Sequence, residues 1–198
     1  MSDRVSWTNP SQISTQSYHC GYCGNAVASD KGIQGAFGSI NPGAFVAICP
    51  HCSFPTYLSL MGGVQVPGVR AGNEVSGIDE QSVLALYNEA RDCTGMGANT
   101  AAVLGCRKIL MHVAVSKGAE EGGSFLGYVD FLAKKGYVPP DGQDWVDHIR
   151  KVGNQANHEI SIATADTAQE LLSFVEMLLK FVYEFPHRIR SKQPPSIP

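Results

Sequence analysis

The second part of the chain carries apolar residues at the three- and four-residue spacing of amphipathic helices. Glycines such as Gly118 and Gly136 close several of these stretches, as they often do at helix C-termini. Five helices are predicted on this basis: Asp79–Cys93, Asn99–Lys117, Ser124–Lys135, Gln143–Ile160 and Asp166–Phe185. The pattern therefore predicts a helical domain over residues 79–190, with a disordered tail over residues 191–198.

The first part of the chain has a different pattern, in which short β-type runs alternate with glycines. The runs Ala44–Ile48 and Thr56–Leu60 are the predicted strands. Residues 1–17 are polar and rich in Ser, Thr and Gln, which predicts a flexible N-terminal arm. Residues 61–78 are predicted to be a linker because glycines and prolines interrupt them. Residues 18–60 between these two segments are left as a small folded β unit.

Two Cys-x-x-Cys pairs lie within this small β unit. They are Cys20 with Cys23 and Cys49 with Cys52, and 25 residues separate them. Two such turns can place four thiolates tetrahedrally around Zn²⁺, with each sulfur about 2.3 Å from the metal. The spacing predicts a four-cysteine zinc ribbon. The alternatives are a redox dithiol and a chance pairing. Four thiolates leave no open coordination position, so the zinc is predicted to be structural. The predicted fold class is thus a small β zinc ribbon followed by an all-α bundle of about five helices.

Other histidines and cysteines lie close to these pairs or in helical sequence. His19 and His51 adjoin the cysteine pairs, and either imidazole could replace a thiolate ligand. The preferred interpretation gives them an ordinary place in the turns or a hydrogen bond to the ligands. Cys93 and Cys106 are predicted to be small, partly buried helix residues.

Composition and charge exclude several classes of protein. The 198 residues are 43% hydrophobic, which excludes a wholly disordered chain. With 15 basic and 18 acidic residues the net charge is -3, which excludes a polycation that coats nucleic acid. The N-terminus has no apolar core of the kind found in a secretory signal. Charged residues interrupt the most apolar stretch, Leu171–Phe185, so no membrane span is predicted and the chain is expected to be cytoplasmic.

Three polar residues of the fourth predicted helix are spaced four apart. Arg150, Asn154 and His158 would form one gently drifting stripe, since each step of four residues advances about 40° around a helix. An arginine guanidinium can donate two hydrogen bonds to one phosphate, and a histidine exchanges protons near neutral pH. Gly153 costs a helix about 1 kcal/mol relative to alanine. The close approach of a neighbouring helix or of a ligand would explain its presence. From the residues alone, hydrogen bonds between helices are the preferred interpretation of this stripe.

At this point the helical part resembles a known family. The resemblance covers about residues 79–185. It rests on Tyr87-Asn88-Glu89-Ala90-Arg91, on Cys106-Arg107-Lys108-Ile109-Leu110, and above all on Ile149-Arg150-x-x-Gly153-Asn154-x-x-x-His158. These segments resemble domain-of-unknown-function family 4145, which belongs to the HEPN clan of helical domains and is found with an N-terminal zinc ribbon. Members of this group are similar to domains attached to restriction and other prokaryotic defence enzymes.

The resemblance implies a HEPN-like bundle, often a homodimer, and in many clan members a metal-independent endoribonuclease. Carried over, His158 would be the general acid or base, and Arg150 would stabilise charge on the phosphate. Asn154 would orient the histidine or bind a phosphate oxygen. Clan ribonucleases separate the arginine and histidine by four to six residues, whereas seven residues separate Arg150 from His158 here. The longer separation weighs against catalysis. Binding of a phosphate or of a nucleic acid is still compatible with it.

Two functions and a structural alternative follow from these features. The first is a module that binds RNA, DNA or a partner protein of a prokaryotic defence or restriction system. The second is the metal-independent endoribonuclease that uses Arg150 and His158, and a purely structural protein is the third. Basic residues such as Arg107, Lys108 and Lys134 could contact phosphates, but a solvated helix face is the preferred interpretation for most of them.

Overall fold

A computed structural model of the protein describes residues 5–138, 145–149 and 162–191. The chain divides into two compact units. We call Met1–Arg70 with Gly95–Gly97 the sheet unit, and Ala71–Thr94 with Ala98–Pro198 the helical unit. Among the described residues, no helix combines the length and the apolar character that a membrane crossing requires.

The sheet unit is built on one antiparallel sheet of five strands. The strands are β1 (Ser11–His19), β2 (Ala26–Phe37), β3 (Ile40–Ile48), β4 (Pro55–Ser59) and β5 (Gln65–Val66). Each strand pairs with the next along the chain, so the order in the sheet is β1-β2-β3-β4-β5. Tight connections suffice for such an antiparallel meander, since every turn joins neighbouring strands.

Strand β3 has more buried residues than any other strand of this sheet. Its Ala44, Phe45 and Ala47 are buried, and Phe45 lies opposite Leu58 of β4. On the other side of β3, a Cβ atom at Gly32 would lie 2.1 Å from the carbonyl oxygen of Val46, so only glycine allows the two strands to approach this closely. The buried cluster of the unit consists of Ile13, Tyr18, Cys20, Phe45, Ala47 and Cys49. This core is small and includes two of the paired cysteines.

The predicted fold class, a small β zinc ribbon followed by an all-α bundle, was wrong. A five-stranded sheet replaces the plain small ribbon, so the chain is mixed α/β. Residues 11–17, predicted to belong to a flexible arm, lie in β1, and β5 lies within the predicted linker. The pattern missed β1 because Ile13 and Tyr18 are its only buried residues and polar side chains fill the rest. Backbone pairing with β2 stabilises this strand despite its sparse apolar pattern.

The helical unit matches the predicted helices more closely. It contains α1 (Gln81–Gly95), α2 (Asn99–Ser116), α3 (Phe125–Lys134), a described helical stretch at 145–149 (α4), α5 (Ala165–Leu179) and α6 (Phe185–Arg190). A π-helical segment, Lys180–Glu184, joins α5 to α6. Ser124 and Thr164 cap α3 and α5, each accepting a hydrogen bond from the backbone N–H three residues later.

Helix α2 lies at the centre of this unit and packs against α3 and α5. Its buried residues point in several directions, which is why its apolar face is broad. Tyr87 of α1 and Phe174 of α5 are fully buried, and Trp145 packs edge-to-face on Phe174 with ring centroids 5.1 Å apart. The helical unit therefore has a large, continuous apolar core.

Residues 71–78, at the end of the predicted linker, pack on this helical core. Val75 and Ile78 are buried in it. The carboxylate of Glu176 accepts hydrogen bonds from the backbone N–H of Asn73 at 2.8 Å and from its side-chain amide at 3.0 Å. Lys180 pairs with the same carboxylate. A buried acid on α5 thus fixes a segment that lies about a hundred residues earlier in the chain.

Two further side chains fix the same segment. The guanidinium of Arg91 donates to the carbonyl oxygens of Ala71 and Gly72, both at 3.2 Å. The buried carboxylate of Glu184 accepts from the backbone N–H of Ser76 at 3.0 Å and pairs with Arg188 at 2.6 Å. Charged groups therefore satisfy the backbone of a segment that has no regular secondary structure.

Candidate metal centre

Two similar turns present the four paired cysteines. The first turn follows β1 and begins at Cys20, and the second follows β3 and begins at Cys49. In the first turn the N–H of Gly24 donates to the carbonyl oxygen of Cys20, and in the second the N–H of Ser53 donates to that of Cys49, both at 2.8 Å. The two turns therefore share the same backbone hydrogen bond, which runs from the residue after the second cysteine to the first cysteine.

The four thiols lie close enough together to share one metal ion. All four Sγ atoms lie within 4.8 Å of one another, with Cys20 to Cys52 at 3.7 Å and Cys23 to Cys49 at 3.8 Å. A tetrahedron with metal–sulfur bonds of about 2.3 Å has edges of about 3.8 Å, so these separations fit Zn²⁺ coordinated by four thiolates. Cys20 and Cys49 are fully buried. The cluster is therefore a candidate metal site made only of protein ligands.

The electrostatics of the cluster favour a bound cation. Burial raises the pKa of the Cys20 thiol, and burial raises that of Cys52 to about 12. Burial also acts to raise the pKa of Cys23, but hydrogen bonds from the backbone and side-chain amide of Asn25 outweigh it and lower the value to about 6. Four negative thiolates at this distance repel one another, so a divalent cation is what allows all of them to lose their protons.

Both turns require a left-handed backbone at the residue after their second cysteine. Gly24 has φ +71°, and Ser53, at the corresponding position, has φ +65°. Glycine adopts this conformation without strain, whereas serine incurs a conformational penalty of about 1 kcal/mol. The second turn is therefore held in a less favourable conformation than the first.

Side chains around the cluster connect it to the rest of the sheet unit. The indole N–H of Trp7 donates to the carbonyl oxygen of Ser53 at 2.7 Å, and the side-chain amide of Gln65 donates to that of His19 at 2.7 Å. These bonds attach the N-terminal residues and β5 to the two turns. The cysteine turns thus form the point at which several parts of the sheet unit meet.

The structure brings together four of the site residues predicted from sequence, which are Cys20, Cys23, Cys49 and Cys52. His19 and His51 are not members of the cluster; Nδ1 of His51 lies 3.1 Å from the side-chain nitrogen of Asn25 instead. Cys106 is fully buried in the helical core, and Cys93 is partly exposed.

The other predicted site residues, Arg150, Asn154 and His158, lie outside the described residues. The stripe on the fourth helix therefore stays a prediction. Sequence reasoning also missed Asn25 and Ser53, which shape the cysteine turns. Their position just after each Cys-x-x-Cys pair is the signal that could have identified them.

Comparison with known proteins identifies the helical part. A family model described as Domain of unknown function (DUF4145) matches residues 88–193. No curated protein and no solved structure gives a significant match. The matched residues include α2, α3 and α5 and none of the four clustered cysteines. Since the match spans more than half of the 198 residues, the chain belongs to the DUF4145 family.

Proposed function

We propose that this protein is a binding module in which a structural Zn²⁺ holds the sheet unit and the apolar surface of that unit binds a partner protein. The observation that carries the proposal is a set of large apolar side chains left exposed on the β2–β3 hairpin. Ile33, Phe37 and Ile40 expose 61%, 45% and 47% of their surface. Phe37 lies opposite Ile40 where the two strands meet, so their side chains belong to one patch. Exposed apolar patches of this kind are typical of protein interaction sites.

A second apolar feature lies beside the cysteine turns. The rings of Tyr22 and Phe54 stack with centroids 4.8 Å apart, and both side chains are exposed. Each ring sits in or directly after one of the two turns, so the position of the pair depends on the geometry of the metal site. Aromatic residues are enriched at protein interfaces because they offer a large contact area at a low cost in side-chain entropy.

The charge of the sheet unit favours a protein partner over a nucleic acid. Between residues 5 and 70 the sequence contains one lysine and one arginine, Lys31 and Arg70, and one acid, Asp30. Binding to DNA or RNA depends on several basic side chains that neutralise phosphates. The exposed apolar residues supply the other kind of contact, which is burial against a complementary protein surface.

The prokaryotic defence context, the HEPN-like architecture and the homodimer come from the sequence resemblance and are part of the proposal on that ground. The alternative function, a metal-independent endoribonuclease that uses Arg150 and His158, has the same origin. It predicts that wild-type protein cleaves single-stranded RNA in EDTA and that His158→Ala does not. Circular dichroism must show that the helices persist in EDTA. Cleavage with these properties would contradict a purely binding function.

The binding proposal is tested by site-specific photo-cross-linking in the native host. A photoreactive phenylalanine analogue is placed at Phe37, and at Gln12 as a control, because Gln12 is an exposed polar residue of the same sheet. We expect one discrete protein adduct from position 37, none from position 12, and loss of the adduct when Cys49→Ser removes a metal ligand. Mass spectrometry identifies the adduct.

Two results would contradict the proposal. The first is the absence of an adduct at position 37, or equal adducts from both positions. The second is saturable binding of labelled RNA or DNA by the purified protein, with an affinity that falls steeply with salt.

A further inference from the structure

Arg107 of α2 is buried in the helical unit, with 5% of its surface exposed. Its guanidinium carbon lies 4.3 Å from the ring centroid of Phe125, so one face of the cation is covered by an aromatic ring. Nη1 has no hydrogen-bond acceptor within the described parts of the chain. Burial lowers the pKa of the group, yet an arginine keeps its proton at any physiological pH. Among the described residues, this nitrogen of the buried guanidinium therefore lacks the acceptor that a buried polar group normally has.

A cleft of about 660 Å³ opens beside this arginine. Arg107 lies in its wall, and the first residues of α3, Ser124 to Leu126, form another part of the lining. At the start of α3 the N–H of Gly127 is satisfied by the side chain of Ser124. The N–H groups of Phe125 and Leu126 have no acceptor within the helix, because the first N–H groups of any helix lack one. A cation and a helix N-terminus thus meet at one cleft, and both favour a negative charge.

We propose that this cleft binds the phosphate group of a small phosphomonoester with an apolar body. The phosphate would supply the acceptor that Arg107 lacks and would face the N-terminus of α3. The apolar body would lie against Leu104, Met111 and Val115, which line the same cleft. The volume of the cleft is in the range of small-molecule sites.

The other charged residues of the cleft agree with this assignment. Lys108 is exposed and adds a positive charge. His112 is engaged by Glu80, with Nε2 at 2.8 Å from the carboxylate. Among the described residues, Glu121 is the one acid that lines the cleft. It is exposed to solvent, so it weakens the positive potential less than a buried acid would. The lining residues of the cleft belong to the helical unit, whereas the cysteine cluster and the surface proposed to bind a protein belong to the sheet unit.

Calorimetric titration with phenyl phosphate, and with inorganic phosphate as the ligand without an apolar body, tests the proposal. We expect saturable binding of phenyl phosphate, at least about tenfold tighter than that of inorganic phosphate because of the apolar contacts. Arg107→Met keeps a similar side-chain volume and removes the charge, and we expect an affinity loss of about 50-fold or more. Lys134→Met removes a charge from the exposed last turn of α3 and should leave the affinity unchanged.

A second variant keeps the test valid if Arg107→Met fails to fold. Leu104 is half exposed at the cleft, one helical turn before Arg107, so Leu104→Glu leaves the core intact. Its carboxylate would pair with the guanidinium and repel phosphate, so we expect an affinity loss of at least about tenfold. Without ligand, Arg107→Met should be as stable as the wild type or more stable, since it removes an uncompensated buried charge.

Three results would overturn the proposal. They are the absence of saturable phenyl phosphate binding, binding that survives both Arg107→Met and Leu104→Glu, and equal affinity for phenyl phosphate and inorganic phosphate.

Discussion

The two units of this protein are stabilised in different ways. Among the described residues, the buried cluster of the sheet unit has six members, two of which are metal-binding cysteine candidates, whereas the apolar core of the helical unit has 27. A domain with so small a core rarely folds without a metal, a disulfide or a partner. The helical unit has enough apolar burial to fold on packing alone. We therefore propose that a metal at the cysteine cluster stabilises the sheet unit, as close packing stabilises the helical unit.

The largest expected effect is on the metal site. Cys49→Ser replaces a buried ligand, so Zn²⁺ binding and the sheet that depends on it should be lost together; structural zinc sites contribute on the order of 10 kcal/mol to folding. Native mass spectrometry should show a metal-free protein, and far-ultraviolet circular dichroism should show that helical signal persists. Cys93→Ser is the matched control, because Cys93 lies in α1 outside the cluster. Retention of Zn²⁺ by Cys49→Ser would contradict the claim that the four cysteines hold the metal on which the sheet unit depends.

A cavity in the helical core should destabilise the helical unit and leave the metal site unaffected. Leu172 is fully buried, so Leu172→Ala should lower the free energy of unfolding of the helical unit by about 2–5 kcal/mol. Chemical denaturation followed by helical circular dichroism measures this loss. The metal content should stay that of the wild type. Loss of the metal in this variant would show that the sheet unit depends on the helical core.

Acid should destabilise the helical unit through Glu176. Burial acts to raise the pKa of this carboxyl, but hydrogen bonds from Lys180 and Asn73 outweigh it and hold the pKa below its ordinary value. Since the folded state favours the ionised form, this contribution is complete above the ordinary carboxyl pKa of about 4.3 and is lost as the pH falls below it.

Glu176→Gln should therefore cost about 2 kcal/mol at neutral pH and flatten the loss of stability between about pH 5 and pH 3. Urea denaturation across this pH range is the measurement. Glu120→Gln, at an exposed position, should keep the pH profile of the wild type. An unchanged acid profile in Glu176→Gln would mean that the ionised carboxylate of Glu176 does not contribute to stability.

The smallest expected effects compare the two cysteine turns with each other. Gly24→Ala should destabilise the metal-loaded sheet unit by about 1 kcal/mol, because nothing contacts the added Cβ and only the left-handed backbone opposes it. Ser53→Gly should stabilise the same unit by up to about 1 kcal/mol, because glycine suits the conformation that serine is forced to adopt. Competition for the metal with a chelator measures both shifts. Shifts of the same sign would contradict the equivalence of the turns.

The helices could be predicted because their signal is local. The predicted helix over residues 99–117 corresponds to α2 (Asn99–Ser116), and that over 124–135 to α3 (Phe125–Lys134). Both predictions follow from the apolar spacing within the helix and from the glycine that comes directly after it. The π-helical segment Lys180–Glu184 was not predicted, because its apolar spacing resembles that of an ordinary helix.

The features that sequence reasoning missed depend on residues far apart in the chain. Strand β1 is mostly polar and is recognised only through its pairing with β2. Residues 71–78 have the composition of a linker, because Glu176 and Glu184, which fix them, come about a hundred residues later. The burial of Arg107 depends on Phe125 of the next helix. The cysteine cluster could be predicted because two Cys-x-x-Cys pairs at this spacing are a local sequence pattern typical of metal ligands.

Removing and restoring the metal while both units are observed would test whether Zn²⁺ holds the sheet unit together. In ¹⁵N–¹H correlation spectra, a chelator should collapse the dispersed resonances of residues 11–66 and leave those of α2, α3 and α5 in place. Addition of a single equivalent of Zn²⁺ should restore the dispersed spectrum. A sheet that stays folded in metal-free protein would contradict the claim that Zn²⁺ at the four cysteines holds this unit together.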